Sequence, residues 1–173
     1  MEGDVGEHIR VKQCRVNTGN GIADMPCMGM TFATATSVGN TDGTAEDLAS
    51  YTIKANSMPA GSAKAVRVLA WGKTAADSDA KIISIKFGAT IVATHASATT
   101  NDKDWVLEAT IIQGATGAQS AIGQFSLEGA TQDIQLVSTP SETETSDTTV
   151  ALNVDAINAN DVLLKGMTVE FLN

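Results

Sequence analysis

The side chains best supplied for chemistry are carboxylates, and two close pairs stand out: Asp77 with Asp79, and Asp102 with Asp104. At i and i+2 in an extended segment, both members of a pair point to one face. That spacing suits a weak Ca²⁺ site, which gathers oxygen ligands. It suits acid/base work less well, since two carboxyls must then flank a scissile bond from opposite sides. Neither pair brings the further ligands of a calcium loop, and ordinary solvated turns are the plainer expectation. Nucleophilic catalysis needs a base beside the nucleophile, and His8 and His95 are the two histidines that could serve. His95 closes a strand-like run in Thr94-His95-Ala96-Ser97 and reads as a surface residue. There is no Gly-x-Ser-x-Gly elbow. Gly72-Lys73-Thr74 lacks the upstream glycine and spacing of a phosphate cradle. The expectation is a protein without catalytic residues, cofactor or enzymatic activity.

Three further groups could bind. Cys14 and Cys27 are too few and too far apart for a disulfide framework, and a zinc site would need two more ligands. They read as free thiols in a reducing compartment. His8, Arg10, Lys12 and Arg15 form the one basic cluster, interleaved with Glu2, Asp4 and Glu7, while Ile9 and Val11 alternate as in a short extended segment. Two readings stay open: an arm whose Arg10, Lys12 and Arg15 dock on an acidic neighbour, or a solvated leader strand. Trp71 and Trp105 could stack on a sugar ring, but each lies within a strand-like run and reads as cover for a core or an interface. With one tyrosine in the chain, a carbohydrate platform would be poorly furnished.

The elements that must position these residues are strands. Met28–Thr36 alternates small polar with apolar residues, and Leu48–Lys54 is closed by a turn-like Asn56–Gly61. Lys64–Gly72 sets Val66, Val68 and Ala70 on one face and Arg67, Leu69 and Trp71 on the other. Lys81–Phe87 opposes Ile83, Ile85 and Phe87 to Ser84 and Lys86, and Thr90–Thr94 continues after a break at Gly88. Trp105–Gln113, Ala121–Leu127, Gln132–Ser138, Thr148–Val154 and Val162–Leu172 repeat the rhythm. Eight or nine short strands at even spacing make an all-β chain, a jelly-roll-like antiparallel β-sandwich. Asp42–Ala49 could form a helical turn, weakened by Gly43 and Thr44. Ser141–Thr149, the most polar tract, reads as an exposed loop or hairpin tip. Residues 1–27 show mixed charge and no regular pattern, so the chain divides into an extended N-terminal arm (1–27) and a sandwich domain (28–173).

Composition limits the partners. With 173 residues the chain can close one core, and that core must be aliphatic, because aromatic residues make up 4%. The net charge is −9, and from Asp104 to Asn173 ten acidic residues face one basic residue, Lys165. Nucleic-acid binding needs clustered Lys and Arg, so it is not expected of the body of the domain. No apolar run approaches the ~20 residues of a membrane-spanning helix. Met1-Glu2-Gly3-Asp4 has neither the basic start nor the apolar run of a signal peptide, so synthesis in the cytoplasm without export by a visible signal is expected. Thr, Ser, Ala and Gly are frequent on the strands themselves. Small side chains allow strands of neighbouring subunits to approach, which suits a symmetric assembly.

Several runs carry a resemblance: Tyr51-Thr52-Ile53-Lys54-Ala55-Asn56, then Val66 to Thr74 (VRVLAWGKT), then Lys81 to Thr90 with its IKFGAT, then Trp105 to Ile112, and the closing MTVEFLN. From Leu48 to Asn173 the chain resembles a jelly-roll domain of structural proteins in tailed bacteriophages. That family includes both head decoration (cement) proteins and tail-fibre modules. The resemblance implies a virion protein on the capsid exterior, a homo-oligomer (a trimer) bound to the major capsid protein, with the arm touching capsid or an adjacent trimer. A tail or fibre component contacting the host surface is the alternative, and a carbohydrate-binding module or small glycosidase a third. The small domain with an N-terminal arm, lacking a shaft of repeats, favours the head.

Overall fold

The computed structural model describes residues 13–17, 22–26, 29–97, 101–129, 133–137 and 139–172, with side chains over 32–96, 101–129 and 139–172. Thirteen strands and no helix occur among the described residues. In chain order they are β1 (Gln13–Asn17), β2 (Ile22–Pro26), β3 (Gly29–Thr34), β4 (Val38–Gly39), β5 (Glu46–Ile53), β6 (Ala65–Thr74) and β7 (Lys81–Phe87). They continue with β8 (Thr90–Ser97), β9 (Asp104–Gln113), β10 (Gln119–Leu127), β11 (Asp133–Val137), β12 (Thr148–Ala156) and β13 (Val162–Leu172).

Two antiparallel sheets pack face to face as a β-sandwich. The larger has the order β11-β10-β9-β6-β13-β3, with β4 pairing further along β13; the smaller has the order β5-β12-β7-β8. Period-2 patterning explains why these segments sit where they do, since alternate residues must leave water together. On β6, Val66, Val68 and Ala70 are fully buried, while Arg67 is exposed and Leu69 and Trp71 are half-buried. From β9, Trp105, Leu107, Ala109 and Ile111 meet Ile83, Ile85, Val150, Leu152 and Val154 of the smaller sheet in one aliphatic core. Trp105 is the largest side chain in it.

Two places show how tightly the layers are drawn together. Gly88 takes a left-handed φ of +58°, and with Ala89 it makes the two-residue turn between β7 and β8. On β10, a side chain at Gly123 would run into Val92 and Ala93 of β8, so the lack of one lets β10 close over the edge of the smaller sheet. Beside that contact His95 stacks on Phe125, ring centroids 3.8 Å apart and planes 4° from parallel. His95 is therefore a half-buried packing residue between β8 and β10 and not the surface residue its place in the sequence suggests.

Other differences from the sequence reading are local. Gln13–Asn17 and Ile22–Pro26 form a two-stranded hairpin with Cys14 opposite Met25 and Arg15 opposite Asp24, within a segment that shows no strand pattern. The suggested helical turn over Asp42–Ala49 is the start of β5, because Asp42 binds the Thr44 amide at 2.8 Å and the Glu46 carboxylate binds the Thr41 hydroxyl at 3.1 Å, folding a tight loop before the strand. The tract Ser141–Thr149 is a loop only as far as Asp147, since Thr148 and Thr149 open β12, and the loop is a fastened one. Glu142 accepts the Ala89 amide at 3.0 Å, and Glu144 accepts the Gly117 amide at 3.0 Å.

Candidate functional site

The two carboxylate pairs meet different fates. Asp102 and Asp104 are separated by their partners: Asp102 pairs with Lys73 at 2.7 Å, and Asp104 with Lys165 at 3.1 Å. Asp77 and Asp79 stay together and gain a third member, Asp161, with one ligand oxygen of each lying within 4.8 Å of the others. Asp161 is 2% exposed and comes from the turn between β12 and β13, more than eighty residues away. Its carboxylate accepts the backbone amides of Ile157 (3.2 Å) and Asn158 (2.8 Å). The Asn158 side chain donates in turn to Asp79 at 2.6 Å.

One positive charge in this cluster of three carboxylates is supplied by the chain itself. Lys81, with no exposed surface, places its ammonium on the Asp77 carboxylate and donates to the Asp79 carbonyl at 3.0 Å. A buried ammonium is tolerable only when paired and hydrogen-bonded. The Lys81 ammonium beside Asp77, helped by the Asp79 amide, holds the Asp77 carboxyl below its ordinary 3.8. The arrangement ties the β6–β7 loop to the β12–β13 turn; its chemistry is that of a structural knot.

The two tryptophans are placed on opposite sides of one sheet. Trp105 faces the core, 1% exposed, and its indole Nε1 has no hydrogen-bond partner. Trp71 faces outward, its ring over Gly166 in the space a side chain there would fill. They cannot form one stacking platform.

That outward face of the larger sheet has an unusual make-up. Strand register places Ile122, Thr110, Arg67 and Glu170 in one row across β10, β9, β6 and β13. The next row holds Gln124, Glu108, Leu69 and Thr168, and the one beyond it Ser126, Val106, Trp71 and Gly166. Arg67 lies between Glu170, at 2.7 Å, and Glu108, at 4.0 Å. Around this ion trio stand Val106, Ile112 and Ile122, each roughly two-fifths exposed or more. A shallow hollow of about 110 Å³ opens between Ile122, Glu108, Thr110 and Gln124. Single exposed apolar residues are ordinary, whereas several on one flat face around a few polar groups resemble the make-up of a protein interface.

Of the basic arm, Arg10 and Lys12 lie outside the described residues, as do His8 and Cys27. Arg15 is on β1, its side chain outside the described set. The outward face could have been found from the sequence, because Leu69 and Trp71 share parity with Arg67. Asp161 could not, since nothing local ties residue 161 to residue 77. No family model matches the chain, and none of the curated proteins matches it.

Proposed function

We propose that this chain is a non-enzymatic structural protein of a bacteriophage virion. In this reading it is a capsid decoration (cement) protein that coats the capsid exterior as a homo-oligomer, a trimer, and stabilises the lattice of the major capsid protein. The observation that carries it is the outward face of the larger sheet, where Val106, Ile112 and Ile122 stay exposed around the Arg67 ion trio. A face of this make-up gains by being covered, at roughly 25 cal/mol for each Å² of apolar surface removed from water.

The strand order supports the jelly-roll form of the sandwich. Leaving aside the β10–β11 hairpin, β3-β13-β6-β9 opposes β5-β12-β7-β8, and the chain crosses between sheets at nearly every connection. Such an order is the one expected of a double Greek-key winding, and it favours the jelly-roll reading. It agrees with the resemblance carried by the runs from Tyr51 to Asn173.

The mechanism is mass action. A protein that binds the assembled lattice but not its separated subunits shifts the equilibrium toward the lattice. An acidic body suits solubility at high copy number, and Arg10, Lys12 and Arg15 are the residues suited to touching capsid or an adjacent trimer. The test is to add purified protein to undecorated heads of the phage that encodes it, and to image the particles. Regular density on the head exterior and heads that survive higher temperatures are expected. Label on the tail would replace this reading with the fibre alternative, and binding on a glycan array without particle binding would replace it with the carbohydrate module.

A further inference from the structure

A second surface lies at the far end of the smaller sheet. Gly43, Ala80, Ile82, Asp155, Ala156 and Ile157 line an open hollow of about 350 Å³. Ile82 is 38% exposed and Ile157 56%, the most exposed large apolar side chain among the described residues. The backbone of the Asp42–Thr44 loop presses on that of Ile157, so the loop walls the hollow on one side. Carboxylates gather around it. Asp155 lines it and pairs with no cation among the described residues. Asp42, beside Gly43, is held ionised by the Thr44 hydroxyl and amide, which keep its carboxyl below the ordinary 3.8. Asp47, opposite Asn153 on the same sheet, accepts only that asparagine's amide at 2.7 Å. The hollow thus combines an apolar lining with uncompensated negative charge.

The chain contains one segment with the complementary pattern. His8-Ile9-Arg10-Val11-Lys12 alternates aliphatic with basic residues, and it immediately precedes β1. We infer that the Asp155 hollow is the receptor for residues 8–12 of a second copy of this chain. Ile9 and Val11 would cover Ile82 and Ile157, while the longer Arg10 and Lys12 side chains fold back over the rim to Asp155, Asp42 and Asp47. Long basic side chains can lie along apolar surface and still deliver their charge to a carboxylate. Such an arm-to-body contact joins unlike surfaces, and a ring such as a trimer follows where the rotation between successive copies closes. The inference rests on the homo-oligomeric part of the proposed function.

Full-length protein tests it. Equal amounts of ¹⁴N- and ¹⁵N-labelled chain are mixed and treated with a zero-length carbodiimide, which joins a lysine amine to a carboxylate only in direct contact. The expected product is an amide from Lys12 to Asp155, Asp42 or Asp47 between one light and one heavy copy. Asp155→Lys and Ile157→Ser, both at exposed positions, should each weaken self-association about tenfold by sedimentation, with melting temperatures unchanged. A Lys12 cross-link confined to single copies overturns the inference. So does an oligomer whose Lys12 couples elsewhere, and in that case the homo-oligomer itself stands. A chain that sediments as a monomer at every concentration overturns both.

Discussion

Lys81 brings an ammonium to a place without solvent, and its worth to the fold depends on Asp77 remaining charged. Because the folded-state pKa of Asp77 is depressed, its contribution is present above the unfolded value of 3.8 and is lost as pH falls through the lower folded value. Asp77→Asn should therefore destabilise the protein by a constant margin near neutrality. That margin should shrink once the pH drops below about 4, the range of a free aspartate. Urea melts of both proteins between pH 7 and pH 2 check this; a margin that grows on acidification would contradict the assignment. Trp105 makes a different case. Its buried indole N–H lacks a partner, a state that costs roughly 1–3 kcal/mol. Trp105→Phe should then lose far less stability than the roughly 3–5 kcal/mol of a Trp→Ala truncation in a core, as equilibrium unfolding of the two variants would measure. Much of this scale was hidden in the sequence. Parity with Leu107, Ala109 and Ile111 marks Trp105 as inward, but Lys81 opens its strand looking like a solvated residue. Its pairing with Asp77 and the Asp79 carbonyl is what makes its burial tolerable.

Strands were the most legible level, for a physical reason. A half-buried sheet imposes alternation, and the runs around Val66, Ile83 and Trp105 lie within a residue or two of the boundaries of β6, β7 and β9. The β1–β2 hairpin escaped because its alternation is short, with Cys14 and Val16 on one strand paired with Met25 and Ala23 on the other, two apolar residues each amid mixed charge. Which strands neighbour one another was equally unreadable, since β13 lies between β3 and β6 through contacts far apart in the chain. The approach of β10 to β8 depends on an element-level detail, the missing side chain at Gly123. An added methyl would meet the Val92 carbonyl and the Ala93 backbone, neither of which can step aside cheaply. Gly123→Ala should cost about 1–3 kcal/mol, the usual range for overpacking, and should loosen the His95–Phe125 stack. A thermal melt gives the first, and the His95 ring resonances, shifted by Phe125 in the native protein, give the second. An unchanged melt would mean that β10 and β8 are free to separate.

At the scale of the whole molecule, two surfaces of opposite character invite contact, and ionic strength tells them apart. The outward face of the larger sheet offers Val106, Ile112 and Ile122 around charges that already compensate one another. Covering it should depend on apolar area and respond little to salt. The Asp155 hollow offers charge without a local partner, so a contact there should weaken as screening grows. Raising salt from about 0.01 M to about 1 M shortens the screening length from roughly 30 Å to 3 Å. Assembly through both surfaces should then loosen in part and not dissolve, leaving a residual association carried by the sheet. Ile112→Asp together with Ile122→Asp should remove that residual association while leaving the monomer folded, because both side chains lie outside the core and are 43% and 47% exposed. Sedimentation of the parent and the double variant at the two salt concentrations gives four masses. The parent should fall partway, and the variant should associate at low salt and be monomeric at high salt. A variant that still associates at high salt would take the sheet face out of the assembly.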